Sequence, residues 1–185
     1  MWSTVFFHSV SFLLIVLPSA CSVNVEPEKT PESAPTYADT NLRGKIWGHA
    51  WEFGTGRIDG NSDDSTLSFT LVSSTIGNAC EKFILNGDDK LSVRFDVEAR
   101  ELVEERYPLG LGQKTVSLIE GTDTDGRGSI ALQGFFEFIA VDADKVAGKM
   151  VAFVDATNVV NGNFEVVRCC TDEETGNSET CNSPH

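Results

Sequence analysis

The chain has 185 residues, with 14 basic and 28 acidic side chains and a formal net charge of −14. Such a balance repels phosphate backbones and anionic lipid surfaces, which excludes nucleic acid as an expected partner. From about residue 42 onward, about 140 residues remain, a length that suits one hydrophobic core rather than two domains.

Residues 1–21 contain no Asp, Glu, Lys or Arg, and residues 10–17 form an almost unbroken apolar run. That run is shorter than the about 20 residues a membrane-spanning helix needs. Small residues follow it instead of a charged stop-transfer segment, which is the pattern of a signal-peptide core and its cleavage zone. The segment closes with Leu17, Pro18, Ser19, Ala20 and Cys21. It resembles the lipobox of bacterial lipoproteins in its small pair and its cysteine, with Pro18 standing where that family has leucine. The resemblance covers these 21 residues and does not extend to the mature chain. It implies acylation of Cys21, a membrane contact made through that N-terminal lipid, and residence in the bacterial cell envelope, as an outer-membrane lipoprotein or in the periplasm. Cleavage after Ser22, using Ala20 and Ser22 as the small pair, would instead release a secreted protein without Cys21.

Residues 22–41 place Pro27, Pro31 and Pro35 among Ser, Glu and Thr, with too little apolar content to offset the entropy of ordering. They read as a flexible linker. The expected organisation is a signal peptide at 1–21, this linker at 22–41, a β-domain at 42–170 and an acidic C-terminal tail at 171–185 tied by a disulfide.

Within the domain, period-two patterning recurs in chain order. Trp47, His49, Trp51 and Phe53 alternate along a first strand, where Trp47, His49 and Trp51 form a candidate ligand platform able to stack on a sugar ring. The same row also suits core packing. Leu67, Phe69 and Leu71 follow, then Leu91, Val93, Phe95 and Val97, whose partners Ser92, Arg94 and Asp96 face water. Residues 97–107 are rich in helix formers and predict a short helix near 98–107 ending before Pro108, or a charged strand and loop. Val116 and Leu118 mark another strand. Phe135, Phe136, Phe138, Ile139 and Val141 are apolar on both parities, as in a strand covered on two sides or crossing between sheets. Met150, Ala152 and Val154, then Phe164 and Val166, complete the set.

Turn signals separate these runs at 59–61, 86–89, 125–128 and 161–163, the last predicting a terminal hairpin about Asn161-Gly162. No strand is followed by a long apolar-periodic helix. The expectation is an all-β fold, an antiparallel β-sandwich or barrel-like sandwich of seven to nine strands.

Five cysteines point to an oxidising compartment. With Cys21 acylated or removed, Cys80, Cys169, Cys170 and Cys181 remain, and three pairings are open. Direct bonding of the adjacent Cys169 and Cys170 demands strained geometry, so Cys80 with Cys169 and Cys170 with Cys181 is preferred, the swap remaining open.

Asp63, Asp64, Asp88, Asp89, Asp123, Asp125, Asp142 and Asp144 could offer oxygen ligands from turns, but the further ligands and the glutamate of a calcium loop are missing. Glu98, Glu101 or Glu105 could act with an aspartate in glycoside hydrolysis, given suitable spacing in a cleft. Serine-hydrolase, zinc-protease and phosphate-loop motifs are absent. The expectation is therefore an exported, lipid-anchored envelope protein with a non-catalytic binding or structural β-domain and no cofactor. Its candidate partners are a carbohydrate or an envelope protein. A carbohydrate- or calcium-dependent adhesion module and a small secreted glycoside hydrolase stand as alternatives.

Overall fold

A computed structural model describes residues 34–60, 65–75, 79–80, 91–121, 125–171 and 178–180. Alternation of apolar and polar residues puts most of these into strands, and twelve are present: β1 (Arg43–Ile46), β2 (His49–Glu52), β3 (Thr55–Asp59), β4 (Thr66–Val72), β5 (Leu91–Glu98), β6 (Arg106–Pro108), β7 (Val116–Glu120), β8 (Arg127–Ala131), β9 (Gln133–Val141), β10 (Lys145–Asp155), β11 (Asn158–Thr171) and β12 (Ser178–Thr180). Nine of them form one path, β6-β9-β10-β11-β3-β4-β5-β7-β8, while β1 and β12 add to β11 and β2 adds to β1. Pairing is antiparallel throughout except between β3 and β11. The all-β expectation holds, and the barrel-like form is the one adopted: a single sheet curled into a half-barrel around its own core.

Aromatic side chains fill the concave face. Phe69 stacks on Phe95 at 4.5 Å and on Phe138 at 5.4 Å between ring centroids, and Phe136 bridges Phe95 at 4.8 Å and Tyr107 at 5.2 Å. Each such pair contributes about 0.5–1.5 kcal/mol beyond its burial. Around them Leu67, Leu71, Val93, Val97, Leu118, Met150, Val160 and Val166 are buried, as their alternation requires. Gly148 lies directly across from Phe164 in the β10–β11 ladder. A Cβ at Gly148 would overlap Phe164 Cζ, so the absence of a side chain there is what admits the ring.

Three local expectations change. The helix near 98–107 shrinks to one 3₁₀ turn at Ala99–Glu101. Cross-strand pairing of Arg106 with Glu137 and of Tyr107 with Phe136 outweighs the modest helix propensity of that stretch. Asn161-Gly162 makes no hairpin but lies in the middle of β11, which pairs with β10 through Asn163↔Lys149, Gly162↔Met150 and Asn161↔Val151. Gly162 is needed there because the backbone carbonyls of Thr40 and Asn41 would approach a Cβ to 2.6 Å.

The two-sided apolar run of β9 is also not a strand between two sheets. Phe136 and Phe138 enter the core. Ile139 is the extra residue at a register shift opposite Ala147/Gly148, and is left 42% exposed. Phe135 faces outward beneath the Arg106 guanidinium, 4.1 Å from its centroid.

The N-terminal arm is held against β11. Tyr37 donates its hydroxyl to Asn163 Oδ1 at 2.5 Å, Asn163 Nδ2 donates to Asp39 Oδ1 at 2.8 Å, and Asn161 binds the backbone on both sides of Tyr37, accepting from Ala38 N and donating to Thr36 O. Residues 36–41, inside the stretch expected to be a linker, are thus tied to the sheet. The signal segment, Cys21 and the rest of that stretch through residue 33 lie outside the described residues.

Candidate functional site

The hairpin joining β1 to β2 holds the residues of the expected ligand platform. Its register, Ile46↔His49, leaves Trp47 and Gly48 as a two-residue loop with φ of 53° and 79°. Positive φ at both loop positions is the type I′ geometry that asparagine and glycine ordinarily supply. A bulky residue in that region costs on the order of 1–2 kcal/mol, and neighbouring contacts must hold it there. Here Asn158 Oδ1 accepts from Trp47 N at 2.9 Å and Thr157 O from Gly48 N at 2.8 Å. Asn158 is itself 2% exposed, in a turn where Asp155 Oδ1 accepts from Thr157 N and Oγ1. The hydroxyl bond from Thr157 is the first of the causes that hold the Asp155 carboxyl below its ordinary range.

The three platform residues do not form an exposed row. Trp51 is 3% exposed within the core and donates its indole N–H to Leu91 O at 3.2 Å. Trp47 is on the turn, out of line with Trp51, half-buried against the core on one side. Arg127 covers its ring at 4.3 Å from the centroid. A sugar stacked on Trp47 would have to displace that guanidinium. The Trp47 indole nitrogen is buried with no hydrogen-bond partner among the described residues. His49 alone of the three is open, with a side chain 64% exposed.

What the hairpin builds instead is a polar cluster with the β7–β8 pair. Arg127 donates through Nε at 2.6 Å and lies through Nη2 at 2.5 Å from one oxygen of Glu120, while His49 Nε2 sits 3.6 Å from the other. The result is a carboxylate flanked by a guanidinium and an imidazole, with an aromatic ring beneath the guanidinium. It can orient an exposed polar group, and it contains no serine or cysteine nucleophile. Nothing in the sequence brings Glu120 and Arg127 to His49, because the partners come from distant strands.

Two shallow grooves mark the outer face. One of about 540 Å³ lies over β1, β2 and β11 between Arg43, Glu52 and Asn161. The other, about 470 Å³, runs across β4, β5 and β7, lined by Ser68, Thr70, Arg94, Asp96, Gln113 and Ser117.

Of the glutamates considered for catalysis, Glu98 and Glu101 serve as ion-pair partners, and Glu105 accepts from the Tyr107 hydroxyl at 3.4 Å. Glu101 pairs with Lys114, whose hydrogen bond, ahead of the one from the Glu98 backbone, holds the Glu101 carboxyl below its ordinary range. That is the reverse of the elevation a general acid needs. Glu98 pairs with Arg100 at 2.6 Å. Of the aspartates considered for calcium, Asp125, Asp142 and Asp144 are described, while Asp63, Asp64, Asp88, Asp89 and Asp123 are outside the described residues. Among the described residues no group of three or more His, Cys, Asp or Glu side chains is placed to hold a metal.

Cys80 and Cys169, 89 residues apart, form a disulfide with both residues buried. This is the preferred pairing of the alternatives left open. Cys170 is disulfide-bonded as well; its expected partner Cys181 lies outside the described residues.

No known family's sequence pattern, no curated protein and no solved structure matches this chain.

Proposed function

We propose that the chain is an exported envelope protein, anchored through a lipid on Cys21, whose β-domain is a non-catalytic binding or structural module. The observation that carries this reading is the Cys80–Cys169 disulfide, which ties β11 to the segment between β4 and β5. Structural disulfides persist in oxidising compartments and are rare where thiols are kept reduced. The acidic charge and the lipobox-like end of the apolar segment point the same way. The arm latched onto β11 fixes where a tether would leave the domain. The fifteen residues from Ser22 to Thr36 would reach about 50 Å when fully extended.

The test is the intact mass of the mature N-terminal peptide isolated from native membranes. A diacylated or triacylated Cys21 supports the anchored reading, and an unmodified start at Val23 replaces it with a secreted protein. Free thiols at Cys80 and Cys169 in protein alkylated inside its own compartment would remove the argument for export altogether.

A further inference from the structure

The nine-strand path through the sheet ends in two edges that are treated differently. At one end β6 is three residues long, includes Pro108, and its Arg106 is tied to Glu137. Short length, proline and a committed charge are the features by which natural edges avoid pairing with other chains. At the other end β8 is five residues long and has no proline, and its one charge, Arg127, is paired with Glu120 at the start of the strand. Among the described residues it is paired to β7 alone, and residues 127, 128 and 130 are exposed. Ile130 is 58% exposed and the adjoining Leu132 36%. Residues 128–132 carry no charge in a chain whose formal net charge is −14. No like charge on this stretch opposes its approach to the same stretch of a second copy.

From these features we infer that β8 is a self-association edge, pairing antiparallel with β8 of a second copy about a two-fold axis at Ser129. In that register Ile130 of one chain stands opposite Gly128 of the other. Gly128 has room for it: a Cβ built there meets only Ile119 Cγ1 at 3.8 Å and one backbone oxygen at 4.0 Å. Ile119 and Gly128 are cross-strand partners, as are Ser117 and Ile130, so all four share one face. Each Ile130 thus finds an apolar seat beside Ile119 of its partner, and the two Arg127 residues, already paired with Glu120, lie at opposite ends of the joint. Such a joint sets the exposed Gly128 and Ile130 of the two edges against each other and extends two half-barrels into one sheet. A contact built from one strand per chain is small and makes a reversible dimer rather than an obligate one.

The experiment is sedimentation of the full mature protein from roughly micromolar to millimolar concentration, where a contact of this size should populate both states. It is joined to oxidative cross-linking of a Ser129→Cys variant in whichever compartment holds the mature protein. We expect wild-type protein to shift toward a dimer as concentration rises. Ile130→Lys should weaken that association by roughly tenfold or more without altering the circular dichroism spectrum. Leu111→Lys, on another exposed loop, should leave it unchanged. The thiol introduced by Ser129→Cys should cross-link to its counterpart in the second copy, since directly opposed residues in antiparallel strands have Cα atoms about 4.5–5.5 Å apart, within disulfide reach. A monomer at every concentration, a dimer insensitive to Ile130→Lys, or an introduced thiol that cross-links only to other proteins would overturn the inference. None of these outcomes bears on whether Cys21 is acylated.

Discussion

Arg127 stands over the Trp47 ring, 4.3 Å from its centroid, while bonding to Glu120 on its other side. The contact joins the β1–β2 turn to the β7–β8 pair, two parts of the sheet remote in sequence. It also explains why a tryptophan is tolerated at a turn position where φ is positive. Removing the cation should loosen the turn. Arg127→Ala is expected to lower unfolding free energy by about 0.5–1 kcal/mol, the usual worth of an exposed cation–π contact. In a Trp51→Phe background it should also raise acrylamide quenching of Trp47. Quenching unchanged from the parent would show that Arg127 does not cover the ring.

Gly148 and Phe164 make a second such pairing, decided by volume. Gly148→Ala should destabilise the fold by about 1–3 kcal/mol, because the added methyl overlaps both the ring and the Glu137 carbonyl, 2.8 Å from the Cβ position. Gly148→Ala combined with Phe164→Leu should recover part of that loss in thermal unfolding. A double variant no better than the single one would place the conflict at the backbone carbonyl alone.

The Cys80–Cys169 bridge closes a long loop. Replacing both cysteines with alanine should cost about 4–5 kcal/mol of stability on the chain-entropy model. Urea unfolding under non-reducing conditions measures it. A loss below about 1 kcal/mol would mean that the denatured chain is already restricted without the bridge.

Several carboxyls are held below their ordinary range: Asp39 chiefly by the Asn163 amide, Glu137 chiefly by Arg106, Asp155 chiefly by the Thr157 hydroxyl and Glu101 chiefly by Lys114. A folded value below the unfolded one contributes stability that is complete above the unfolded range, near 3.8 for Asp and 4.5 for Glu, and is lost as pH falls through the folded values. Urea midpoints should therefore be level near neutrality and decline below about pH 5. Asp155→Asn should flatten that decline while lowering the neutral-pH midpoint, since its amide mimics the carboxylate poorly as a double acceptor. A decline of unchanged slope would remove Asp155 from the acid response.

Much of the architecture was legible in the chain because period two leaves little freedom about which side of a sheet each residue occupies. Leu67, Phe69 and Leu71, Val93, Phe95 and Val97, and Phe164 and Val166 all enter the core as their alternation demands. The cysteine count and the awkwardness of bonding Cys169 to Cys170 narrowed three pairings to two for a similar reason, since local covalent geometry is a property of sequence, and the fold chose Cys169 over Cys170 as the partner of Cys80. Acidic charge and the N-terminal apolar segment are likewise read from residues alone.

Long-range approach was decided by tertiary structure. Asn161-Gly162-Asn163 has the composition of a turn, yet it is the middle of a strand because the arm at 36–41 passes over it and needs both amides as hydrogen-bond partners. Residues 98–107 favour a helix in isolation and form only one turn because β9 offers Arg106 and Tyr107 a ladder. The row of Trp47, His49 and Trp51 was split because a two-residue turn reversed the chain at Trp47, sending Trp51 inward and leaving Trp47 for an arginine eighty residues downstream. Periodicity determines which face a side chain takes on its own strand; which distant residue comes to meet it depends on the order in which strands join, and no local signal carries that order.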